Sequence, residues 1–122
     1  MFSKFSKNIA PYVESEINLA EAARSVGAQS LAFQHLENAH VIGQESTYWH
    51  VKVHVLMLQW AVQNSMLREI IGQFLRVIGA AIMTPVCLVP LGNTGGSNVS
   101  PFESMPIGRE HTLMIRSAKD KV

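Results

Sequence analysis

A chain of 122 residues is long enough to bury one core and too short for two, so a single domain over residues 1–122 with one site is the expectation. Hydrophobic residues make up 48% of it and charged residues 16%, a balance that excludes an intrinsically disordered chain. Ten Lys and Arg against nine Asp and Glu leave a formal charge of +1, and the basic residues are scattered singly, so the footprint of nucleic-acid binding is missing.

The first fourteen residues contain no sustained apolar run of the kind a secretory signal needs. From Asn8 to Arg24, apolar residues at Ile9, Val13, Ile17, Ala20 and Ala23 alternate with Glu14, Glu16, Glu21 and Arg24 at the spacing of an amphipathic helix, with Pro11 in its first turn. Gly27 ends this helix. A second is expected from about Ala28 to Ile42, with Ala32, Leu36 and Ala39 on one face and Gly43 closing it. So short a connection makes the two antiparallel neighbours.

The segment from Ser46 to about Asn64 is ambiguous at first, because His50-Val51-Lys52-Val53-His54-Val55 alternates like a strand. Its length without Gly or Pro decides for a helix, and apolar groups nearly all round it mark the central buried one. A fourth helix is predicted from about Met66 to Met83, with Leu67, Ile70, Ile71, Phe74, Leu75 and Ile78 inward and Arg68, Glu69, Gln73 and Arg76 outward. Met57, Trp60, Met66 and Phe74 are expected in the core.

After Thr84 the residues Pro85, Pro90, Gly92, Gly95, Gly96, Pro101 and Pro106 forbid regular structure. Between them, Val86, Leu88, Val89, Leu91, Val99 and Phe102 imply a segment that lies on the helices. The charge-free stretch from Val77 to Leu91 is interrupted by Gly79, Pro85 and Pro90 and falls short of the roughly 18 apolar residues of a membrane span. A short helix is predicted over Arg109 to Ser117, with residues 118–122 frayed. The expected fold is therefore all-α: a core of two antiparallel hairpins over about 8–83, an extended tail over 84–108, and a short terminal helix.

Cys87 is the only cysteine, so no internal disulfide can form, and a reducing, cytoplasmic setting is expected. In its apolar surroundings it reads as a small buried hydrophobe.

The hairpins show a weak internal match, with Gly27, Ala32, Leu36 and Ala39 corresponding to Ser65, Ile70, Phe74 and Val77. The first set, with Leu19, Ala20 and Ala23, resembles a tetratricopeptide repeat; the second lacks the small residues. Two repeats are fewer than the roughly three such arrays need, which implies a cap from the tail or a second subunit.

Four of the five histidines fall close together: His35 and His40 on the second predicted helix, His50 and His54 on the third. His50 and His54 are four residues apart, the spacing at which two imidazoles on one helix face can share a metal. Glu37 and His40, three apart, repeat the Glu-x-x-His pairing of carboxylate metal sites. His35 points about 160° away from Glu37. A tight turn near Gly43 to Glu45 places His40 opposite His50 and Glu37 level with His54, so Glu37, His40, His50 and His54 are the candidate ligands for zinc, iron or copper. Gln44 would support them from outside. In a strand, His50 and His54 would lie about 13 Å apart and the shared metal would fail. The competing reading is a structural network in which a carboxylate and imidazoles satisfy one another.

Taken together, His35-Leu36-Glu37-Asn38-Ala39-His40, His50, His54 and Gly92-Asn93-Thr94-Gly95-Gly96-Ser97-Asn98-Val99-Ser100-Pro101-Phe102 resemble a bacterial family of small helical proteins known as domain-of-unknown-function family 3703, over roughly residues 10 to 108. The resemblance implies no activity. The glycine-rich stretch lacks the Gly-Lys-Ser/Thr ending of a phosphate loop, and its Asn93, Thr94 or Asn98 could instead close the mouth of the histidine site. His111 reads as a surface residue. Three functions follow from these residues: a metal-binding protein, an interaction module that receives a peptide or a second copy of itself, and a metal-dependent hydrolase or oxidase.

Overall fold

The computed structural model describes residues 3–121. Among them are five α-helices and no strand: α1 (Lys4–Ser25), α2 (Gln29–Gly43), α3 (Thr47–Gln63), α4 (Leu67–Met83) and α5 (Arg109–Asp120), with a 3-10 turn over Thr84–Val86. α1 begins earlier than its apolar period suggests because Ser3 caps it, its hydroxyl accepting from the Ser6 amide at 3.2 Å. Pro11 consequently lies inside the helix rather than in its first turn.

Both hairpins turn by the same device. Gly27 adopts φ +79° while the Ala28 amide donates to the Ala23 carbonyl at 2.9 Å, and Ser65 adopts φ 53° while the Met66 amide donates to the Ala61 carbonyl at 2.9 Å. The internal match read from the sequence is thus a real correspondence of turns. α1 packs on α2, and α3 packs on α4.

The core lies where α1, α2 and α3 meet: Ile9 and Val13 from α1, Leu36, Ala39 and Ile42 from α2, and Trp49, Val53 and Met57 from α3 are all buried. Each large aliphatic side chain fully removed from water stabilises the fold by about 1.5–3 kcal/mol. α3 is locked at its start by Ser46, whose hydroxyl accepts from the Trp49 amide at 3.2 Å, while the Trp49 indole donates to the Ser6 carbonyl at 2.9 Å. α5 closes the other side of α1. It runs on to Asp120 rather than fraying at residue 118, since Ala118 is buried and its carbonyl accepts from the Asn8 amide group at 3.0 Å.

α4 reverses the sequence expectation. Its buried residues are Glu69, Gln73 and Ala80, whereas Leu67, Ile71, Phe74, Leu75, Ile78 and Ile82 are 48–69% exposed. The periodicity identified two faces correctly and assigned them to the wrong sides, because α3 offers α4 imidazoles, which need polar partners. Met66 and Phe74 are accordingly exposed rather than in the core, while Met57 is fully buried. Cys87 is exposed too, at φ 60°, so the buried thiol expected from its neighbours is not found. The segment Leu67–Val86 is long and apolar enough by composition to cross a membrane, more than the shorter stretch read from the sequence suggested. Here it packs on α3 through its polar face.

Residues 87–108 fold back along α4 as far as its first turns, where the Ser97 amide donates to Glu69, and lie against α2 at His40 and Glu37. Gln44 pins them at both ends of its amide, donating to the Pro90 carbonyl at 2.8 Å and accepting from the Gly92 amide at 3.0 Å. The Arg76 guanidinium holds the Val99 carbonyl at 2.9 Å.

Candidate metal centre

α2 contributes His40 from its last turn, and α3 contributes His50 and His54 from successive turns of one face. All three are buried, and their ring centroids lie 4.5, 4.7 and 5.0 Å apart. The Nε2 atom of His40 is 3.0 Å from Nε2 of His54 and 3.0 Å from Nε2 of His50. Helical spacing on α3 and the short turn from α2 therefore bring together the three imidazoles expected from the sequence. These three form a group that could hold a metal ion.

The outward nitrogens decide what the inward ones can do. Nδ1 of His40 donates to the Asn93 carbonyl at 2.7 Å, an oxygen that can only accept. Nδ1 of His54 meets Oε1 of Gln73 at 2.6 Å, and the orientation of that amide is fixed because its nitrogen donates to a Glu69 carboxylate oxygen at 2.6 Å and to the Gly95 carbonyl at 2.8 Å. Both rings thus carry their proton on Nδ1 and turn a bare lone pair inward. Nδ1 of His50 pairs with the Thr84 hydroxyl at 2.7 Å.

Burial keeps the rings uncharged. Removal from water, and then the neighbouring histidines, hold His40 well below its ordinary range. Desolvation first and His54 second push His50 down to about 3; desolvation lowers His54 to about 4 against the hydrogen bond from Gln73. Between neutral rings, a 3.0 Å contact of His40 with His54 has no proton to share. Two lone pairs face each other there, the arrangement a cation relieves. Zinc–imidazole bonds of about 2.0–2.1 Å at tetrahedral angles set nitrogens about 3.3 Å apart, a few tenths of an ångström from the distances His40 makes to His50 and His54.

Glu37, the fourth ligand expected from the sequence, stands outside this group. It is half-buried and faces the loop, its Oε2 3.6 Å from where a β-carbon on Gly96 would lie, and burial followed by the charge of Glu69 raises its pKa. The loop lies against both residues: Gly95 is packed on the His40 ring at φ +89°, where a β-carbon would come within 2.7 Å of Cδ2, and Gly96 is next to the Glu37 carboxylate. His35 is separate, as expected, with its Nδ1 3.1 Å from Glu16.

The groups that orient the triad were mostly missed. The sequence pattern predicts Gln73 and Glu69 on the outward face, and Thr84 only marks where the Pro- and Gly-rich segment begins. Their spacing, Glu69 four residues before Gln73, was a legible sign of a shared polar face. Asn93 was expected to close the mouth of the site; it contributes instead its backbone carbonyl, while its amide group donates to the carbonyls of Ser100 and Glu103. Gln44 acts through the loop and not on a ring. The amides of Gly95 and Ser97 are held by Asn93 and Glu69, so they are not offered to an anion.

The fold and the triad define a class: an all-helical protein of two antiparallel hairpins with three inward-facing imidazoles where the second and third helices meet. The chain belongs to the family described as Protein of unknown function (DUF3703), whose model matches residues 7–115. No curated protein and no solved structure matches it.

Proposed function

We propose that the protein binds one divalent transition metal, zinc foremost, through Nε2 of His40, His50 and His54. The observation that carries this reading is the pair of inward lone pairs on His40 and His54, whose Nδ1 groups donate to Asn93 and Gln73, with Nε2 of His50 3.0 Å from that of His40. Outer hydrogen bonds of this kind fix the tautomer and orientation of metal-bound histidine. Three neutral nitrogen donors suit zinc and admit iron or copper. Protein purified without a histidine tag should carry, or take up, close to one metal per chain by elemental analysis. Each of His40→Ala, His50→Ala and His54→Ala should release it, and His35→Ala should retain it. Less than about one-tenth metal per chain after exposure to zinc, iron and copper in turn would end the reading.

A different observation supports self-association as a second property. On the bare apolar stripe of α4, Leu67, Ile71, Phe74, Ile78 and Ile82 are 48–69% exposed on one continuous face, an apolar patch of the kind that marks a protein–protein interface. α4 carries only Arg68 and Arg76, and Arg76 is turned to the loop, so the rim of basic side chains that seats a helix on a lipid surface is not there. The occupant that fits is a second copy. Sedimentation velocity should show a dimer that Ile71→Glu converts to monomer; a monomer at every concentration, or flotation with anionic vesicles, would overturn this.

A further inference from the structure

The triad forms the floor of a cavity of about 330 Å³. That volume is at the lower end of the range for small-molecule sites, roughly 300–1,000 Å³. Leu75, Met83, Leu88 and Phe102 give it apolar walls, and Arg76 is its one cationic side chain. Three neutral imidazoles leave the charge of a divalent ion uncompensated, and three protein ligands leave a tetrahedral ion one open position. Arg76 adds a positive charge beside that position, half-buried and tied by one bond to the Val99 carbonyl. The Glu69 carboxylate is close enough to offset part of the charge of Arg76, while its oxygens accept from Gln73 and from the amide and hydroxyl of Ser97 and are not directed at the open position. Among the described residues no carboxylate forms an ion pair with Arg76. With a divalent ion bound, this apolar chamber would hold two cationic groups at its floor, the ion and Arg76, and would favour an anion with a hydrocarbon body.

We propose that the cavity receives a small aliphatic monocarboxylate, its head at the open position of the metal beside Arg76 and its tail along Leu75, Met83 and Phe102. This rests on the metal reading above, and the experiment separates the two. The full chain is loaded with cobalt(II), its metal content is measured, and its visible d–d absorption is followed while octanoate is added. A saturable spectral change is expected with octanoate, binding about tenfold or more weaker with acetate, and no change with 1-octanol, which keeps the tail and lacks the charge. Arg76→Gln should weaken octanoate about tenfold at unchanged cobalt content. Phe102→Ser, at a side chain 74% exposed and so harmless to folding, should weaken octanoate several-fold and leave acetate as it was. A fully loaded protein whose spectrum ignores octanoate would overturn the carboxylate site and leave the metal site standing. Equal octanoate binding by wild type and both variants would do the same. A chain that takes up no cobalt, zinc, iron or copper would overturn both.

Discussion

The two hairpins share a turn and differ in what they put inside. In the first, α2 buries Ala32, Leu36 and Ala39. In the second, α4 turns Glu69 and Gln73 toward α3 and leaves Phe74, the counterpart of Leu36, 59% exposed. Rolling α4 over would hide its apolar stripe at about 1.5–3 kcal/mol per side chain fully buried. It would also strip His54 and Gly95 of their partner in Gln73, at about 1–3 kcal/mol for each buried group left unpaired. Glu69 would lose its bonds from Ser97, and Arg76 its bond to Val99, as well, so the polar contacts of α4 together oppose the apolar gain. The proposed second copy would lower the cost of leaving the stripe exposed.

Acid should separate the hairpins most strongly. In the metal-free protein, His54 is held down to about 4 and His50 to about 3, while the same rings in an unfolded chain titrate near 6.5. Above about 6.5 neither state takes up protons on these groups, and stability is full. As pH falls from there toward 4, the unfolded chain binds protons the native rings refuse, and several kcal/mol are lost. Amide exchange should show α3 and α4 losing protection before α1 and the first half of α2. Unfolding curves in urea that coincide at pH 7 and pH 4.5 would show that the rings are not buried as described.

Next in size is Leu36→Ala, expected to cost about 2–5 kcal/mol because the side chain is 5% exposed in the packed interface of the first hairpin. Metal affinity should follow only as far as global stability does. Gln73→Leu is the matching change in the second hairpin. It keeps the size of the side chain and removes the acceptor for His54, and should weaken metal about 10–100-fold in competition with a colorimetric chelator. Unchanged affinity would mean that the tautomer of His54 is set elsewhere.

Much of this was legible in advance, in a particular way. Periodicity and the absence of Gly and Pro located the four long helices, and the four-residue spacing of His50 and His54 with a short turn from His40 located the triad. Periodicity also divides a helix into faces without saying which one looks inward. For α2 the apolar face was the right guess; for α4 the imidazoles of α3 made the polar face the inner one, and nothing local to residues 67–83 carries that information. The same limit misplaced Glu37. Sharing a helix face with His40 made it a candidate, but its carboxylate is next to Gly96 of the distant loop, a neighbour that nothing in residues 29–43 announces. Backbone groups are harder still, since the Asn93 carbonyl that orients His40 has no signature in residue type.

The smallest expected effect tests the comparison most directly. Phe→Ala in a core costs about 3–5 kcal/mol. Phe74→Ala, at the position equivalent to Leu36, should cost under about 1 kcal/mol in urea unfolding at protein concentrations low enough to keep the chain monomeric. Raising the concentration should then open a gap between wild type and variant, because a dimer built on this face stabilises only the chain that can form it. A constant small loss at every concentration would leave α4 exposed and unpartnered. A loss of full core size in the monomer would place Phe74 inside, and with it would go the polar inner face on which the contact of Gln73 with His54 depends.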